Sequence, residues 1–156
     1  MTERWVPQSE RDALVLRASQ AVLAFSDAMD HLHGTVRGDM DMNATDLAAL
    51  RMLIVREQRH EPVSPHDIAA HLAISTASTT KLLDRLTASG HVERQAHPSD
   101  RRSRVVVLTE AARADFYRHF GIRMGRMRAA MEGYSDGELR AVTRFFGDME
   151  QALTGE

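Results

Sequence analysis

Apolar residues recur along this chain with two different periods, and together they predict six helices with one short hairpin among them. Leu14, Ala18, Ala21, Phe25, Ala28 and Leu32 follow at steps of four and three, one stripe on a helix spanning residues 9–33. Val15, Val22 and Met29 widen that stripe, and Gly34 and Gly38 are expected to end it in a polar loop. Asn43 caps a second helix running to about Glu57, with Asp46 expected to accept from the cap's amide. Leu47, Leu50, Met52, Leu53 and Ile54 form its buried side. Ser64-Pro65-His66-Asp67 is the clearest helix start in the chain: a capping serine, a proline at the first helical position and an acid near the positive dipole end. That third helix turns Ile68, Ala69 and Leu72 inward. After a turn at Ile74-Ser75, a fourth helix from about Thr76 to Ser89 buries Leu82, Leu83 and Leu86 and leaves Thr76, Ser78, Thr79, Lys81 and Arg85 on its other sides. Gly90 suits the left-handed residue that closes it.

The period then shortens. Val92 to Gln95 and Arg104 to Leu108 are short and rich in β-branched residues, and the intervening HPSDRRS has turn chemistry, so the two form a hairpin. Thr109 caps a long fifth helix whose stripe is Phe116, Phe120, Met124, Met127 and Met131. Ser135 to Glu138 is a capping box for a sixth, carrying Leu139, Val142, Phe146, Met149 and Leu153. The predicted class is mainly α with a small β-hairpin wing (α+β), without internal repeats.

Bulk composition narrows the function. A chain of 156 residues fits one domain, and no apolar run approaches the roughly 20 residues of a membrane span. The first residues carry acids where a signal peptide is apolar, which leads to the expectation of a cytoplasmic protein without a membrane partner. With no cysteine there is no disulfide, thiolate nucleophile or cysteine–zinc site. The net charge of −2 hides a gradient: Arg51 to Arg104 holds nine Lys/Arg against six Asp/Glu, and the rest holds eleven against sixteen. Such asymmetry fits a domain with one side facing DNA.

The middle third carries the chemistry. Two short helices, the second opening on STASTTK, have the order of a helix–turn–helix, whose second helix enters the major groove by its N-terminal residues. Ser75, Thr76, Ser78 and Thr79 are short hydroxyls that let the backbone approach and offer bonds to phosphate or bases, and Lys81 adds a cation. Arg101, Arg102 and Arg104 crowd three guanidinium groups into the hairpin loop, with Arg94 on the incoming strand. A projecting cationic ribbon suits the phosphate walls, and an arginine at its tip can enter a narrow minor groove. Asp100 beside them orients one arginine by a paired hydrogen bond.

Asp100 to Thr109, DRRSRVVVLT, resembles the wing of the multiple-antibiotic-resistance (MarR) family of winged helix–turn–helix regulators, an Asp-x-Arg followed by a strand ending Leu-Thr. Ser75 to Gly90 is similar to that family's recognition helix, including Asp84-Arg85-Leu86 and the closing glycine. The resemblance implies one domain over 1–156, with residues 9–33 and 110–153 as an intertwined helical dimerisation region and 43–108 as the DNA-binding lobe. It implies a homodimer that binds a palindromic operator and regulates transcription, as a repressor, with recognition helices about 34 Å apart. By the same resemblance Arg102 is the minor-groove arginine, Asp100 its partner, and Ser75, Thr76, Ser78, Thr79 and Lys81 contact bases and phosphates.

The resemblance also implies release by a small, often aromatic or phenolic, effector between the dimer helices and the lobe. Phe25, Met29, Leu50 and Met52 are the candidate lining residues, and each is equally suited to the core. Neither a cofactor nor a metal is expected: His31 and His33 project about 200° apart on a helix, and His60, His66 and His71 show no ligand spacing. No HExxH, phosphate loop or nucleophile elbow points to an enzyme. The alternative is a winged-helix protein–protein interaction module that does not touch DNA.

Overall fold

The computed structural model describes residues 5–97 and 103–155. Its elements are α1 (Glu10–Asp39), α2 (Ala44–Gln58), α3 (Pro65–Leu72), α4 (Thr76–Ala88), β1 (Val92–Ala96), β2 (Arg104–Leu108), α5 (Glu110–Met131) and α6 (Asp136–Thr154). They group into two compact units, Met1–Asp115 and Phe116–Glu156, with the boundary inside α5. Among the described residues no helix is long and apolar enough to cross a membrane.

The first unit is built around α2. Leu47, Ala49, Leu50, Met52, Leu53 and Ile54 are all buried there, joined by Ile68 of α3, by Leu82, Leu83 and Leu86 of α4, and by Val92, Val105, Val106 and Leu108 of the hairpin. Each large aliphatic side chain fully removed from water contributes about 1.5–3 kcal/mol. The strands pair antiparallel from Val92↔Leu108 to Ala96↔Arg104. On its other edge β2 is held by the Val106 N–H, which donates to the Val63 carbonyl at 2.8 Å.

The helix starts follow the sequence closely. Ser64 and Asp67 form a reciprocal capping box, as do Ser135 and Glu138. In both, the serine's hydroxyl and amide donate to the acid and hold its carboxyl below the usual range. Thr109 caps α5 by accepting from the Ala112 amide at 3.1 Å, and its hydroxyl donates to the Gly90 carbonyl at 2.7 Å. Gly90 has φ +76°, the left-handed closure expected of it. The turn between α3 and α4 also uses Ala73 at φ +50°, a conformation L-residues rarely adopt.

Two expectations are corrected. Gly34 and Gly38 do not end the first helix, which continues to Asp39. Each glycine costs about 1 kcal/mol relative to alanine in a helix, but Leu32 and Val36 are buried on either side of Gly34 and anchor the extra turns. Asp46 does not complete a capping box at Asn43. The Asn43 side chain accepts from the Asp46 amide at 2.9 Å, while the Asp46 carboxylate turns to Arg85.

Candidate nucleic-acid interface

Helix α4 presents a hydroxyl-rich first turn because Ser75 caps it. Its Oγ accepts from the Ser78 amide at 3.1 Å and donates to Ser78 Oγ at 3.0 Å. Ser75, Thr76, Ser78 and Lys81 are exposed. Thr79 is a correction: it is 3% exposed, and its hydroxyl donates back to the Ser75 carbonyl. Successive residues of a helix project 100° apart, so Thr79 shares the inward face of Leu82, Leu83 and Leu86. Thr80, one residue on, is exposed, and its hydroxyl donates to the Thr76 carbonyl.

The arginines divide. Arg104, opposite Ala96 in the last pair before the hairpin loop, is exposed. Arg94 is not a loose cation: its Nη2 donates to Asp84 Oδ1 at 2.6 Å, tying β1 to α4. Arg85 donates from Nε and Nη2 to Asp46 at 2.9 and 2.6 Å, tying α4 to α2. That paired bond raises the guanidinium further above its ordinary range. Asp100, Arg101 and Arg102 lie outside the described residues. The loop's described ends are joined by the His97 N–H donating to the Ser103 carbonyl at 3.0 Å.

The residues expected to line an effector site differ in burial. Leu50 and Met52 are 1% and 5% exposed and belong to the core, whereas Phe25 is exposed and Met29 half-buried. A cleft of about 270 Å³ does lie between α1 and the first turns of α2, lined by residues that include His33, Arg37, Leu47 and Arg51. Arg51 Nη1 lies 3.2 Å from His33 Nδ1, and burial pushes the pKa of both groups down. Sequence periodicity could not reveal this cleft, because polar residues on adjoining helices show no spacing in common. Among the described residues no group of three or more His, Cys, Asp or Glu is placed to hold a metal ion.

The sequence profile of the MarR family matches residues 40–103. The HTH-type transcriptional repressor YetL of Bacillus subtilis is 27% identical over 103 residues, 66% of this chain and 62% of its own length. The HTH-type transcriptional regulator YfiV of the same organism is 33% identical over 114 residues, 73% of this chain and 69% of its own length. The chain thus spans about three-fifths of the first relative and just over two-thirds of the second. Among solved structures, a MepR mutant from a multidrug-resistant S. aureus clinical isolate superposes with a TM-score of 0.69 at 18% identity, over 88% of this chain and 97% of that one. Another S. aureus MepR mutant, solved bound to an oligodeoxyribonucleotide, gives 0.56 at 18% identity over 88% and 98%. At such identities the likeness establishes the winged-helix fold.

Proposed function

This chain belongs to the MarR family, and on that footing we propose that it is a sequence-specific, double-stranded DNA-binding transcription regulator, acting as a repressor. The observation that carries this reading is the exposed Thr76–Ser78–Lys81 surface of α4, held on the same lobe as a two-stranded ribbon with exposed Arg104 at its loop end. Short hydroxyls and a lysine suit groove edges and phosphates, and Arg102 is assigned the minor-groove position. The repressor named among the relatives and the nucleotide-bound MepR mutant support it.

The domain plan expected from the sequence completes the proposal: residues 43–108 bind DNA, and two copies join through 9–33 and 110–153 on a palindrome. Its support is the apolar surface that one chain leaves exposed, including Leu14, Leu23, Val142 and Leu153. An effector acts by favouring a helix spacing that mismatches the groove. The cleft beside the first turn of α2 offers it a place, and Asp46 on that same turn holds the recognition helix.

Selection from a pool of random duplexes by the purified protein tests the reading: an enriched inverted repeat is expected, and no enrichment refutes it. With about six phosphates neutralised per dimer, log affinity falls with log salt at a slope of roughly −5. Arg102→Ala weakens binding to the enriched duplex at least tenfold without altering the far-ultraviolet circular dichroism, and an unchanged gel-shift titration removes the wing from the mechanism.

A further inference from the structure

Asp84 and Arg85 are neighbours in α4, yet they reach in different directions. Arg85 projects toward α2 and is gripped at two nitrogens by Asp46, whose side chain is only 6% exposed. Asp84 projects toward the hairpin and takes Arg94 of β1 at 2.6 Å. Their Cβ directions lie 100° apart on the helix: Asp84 stands beside Ala77 on the outward ridge opposite Leu82, Leu83 and Leu86, and Arg85 lies past Lys81 on its flank. The recognition helix is therefore held at two bearings, from its outward ridge to the hairpin and from its flank to α2. Apolar packing of three leucines fixes its distance from the core and tolerates small rotation. Two ion pairs at different bearings, running to two different elements, resist rotation about the axis, and one of them also fixes the wing to the same helix.

We propose that Asp46 and Asp84 are positioning residues for DNA discrimination: through Arg85 and Arg94 they set the rotation of α4 and the approach of the wing, without touching DNA. This rests on the DNA-binding reading above and extends it. Two acids near a cationic surface work against overall attraction, since each removes positive charge from the field that draws in phosphate. Their benefit lies in geometry. A bidentate arginine–carboxylate pair is directional as well as attractive, and a base-edge hydrogen bond is lost with small displacements.

The test compares Asp46→Asn and Asp84→Asn with the parent protein in anisotropy titrations against two duplexes of equal length, one enriched by the parent from a random pool and one of random sequence, at fixed salt. The expected result is a tenfold or greater loss on the enriched duplex for Asp46→Asn and about threefold for Asp84→Asn. Binding to the random duplex stays equal or tightens, because a negative charge has gone. Equal losses on both duplexes, or unchanged discrimination, overturn the proposal. Asp84 is exposed, so Asp84→Asn carries the test should Asp46→Asn fail to fold. A parent protein that enriches no duplex takes down the DNA-binding reading and this inference together, whereas enrichment with variants of unaltered discrimination takes down this inference alone.

Discussion

Helices α4 and α6 start from the same design and meet opposite fates. Both are opened by a serine cap, and both carry apolar residues at steps of three and four. In α4, Leu82, Leu83 and Leu86 are each 1% exposed. In α6 no residue is buried: Val142 and Phe146 are more than two-fifths exposed, and Leu153 is almost wholly so. An amphipathic stripe thus states that a face seeks cover without stating where the cover comes from. The leucines of α4 find it within their own lobe. For α6 a second copy of the chain is the proposed cover, and the contrast becomes a set of measurable differences.

The largest effect is expected at α4. Leu83→Ala removes a fully buried side chain from a packed core and costs about 2–5 kcal/mol in urea unfolding; a cost below 1 kcal/mol would show that the lobe is not packed as described. Phe146→Ser on α6 separates two outcomes. If a second copy covers the face, the variant sediments as a monomer and its melting temperature loses its dependence on protein concentration. If nothing covers it, the substitution behaves as a surface change within about 0.5 kcal/mol and leaves the sedimentation profile alone.

The caps give a smaller and pH-dependent effect. Asp67 is held below its usual carboxyl range by bonds from Ser64, so its folded-state pKa lies below the unfolded one. The sign follows: this contribution is complete above the unfolded value, near 4, and disappears as the pH falls through the lower folded value. Ser64→Ala is expected to cost about 1 kcal/mol at neutral pH, and the gap from the parent should close in acid. A gap that stays constant down to pH 3 would mean that the box contributes no linkage. The smallest effect is a gain. Gly34→Ala adds a Cβ that meets nothing within 4 Å inside a continuous helix, and stabilisation of about 0.5–1 kcal/mol is expected by calorimetry. A loss there would mean that α1 bends or ends at Gly34 in solution.

The residues of the interface show how far local signals reach. Ser64, Thr109 and Ser135 each announce a helix start and each makes the expected bond, because a cap involves atoms three or four residues apart. The β-branched run Val105–Val107 and the turn residues before it likewise announce the hairpin, since strands joined by a short loop are neighbours in space. Thr79 escaped this logic: in a run of hydroxyls, only the phase of Leu82, Leu83 and Leu86 shows that it faces inward. Arg94 escaped it as well, because its partner Asp84 stands ten residues away on another element.

Periodicity, caps and turn residues were enough to set the number, order and type of the elements, because each depends on contacts within a few residues. They misplaced the end of α1 at Gly34, where burial of Leu32 and Val36 carried the helix past a poor helix former. The partner of each charge belongs to another level. Asp46 reads as a cap and serves as the brace for an arginine 39 residues further on. Charged side chains have no period, and only the packing of α2 against α4 brings that carboxylate, out of water, within reach of its guanidinium.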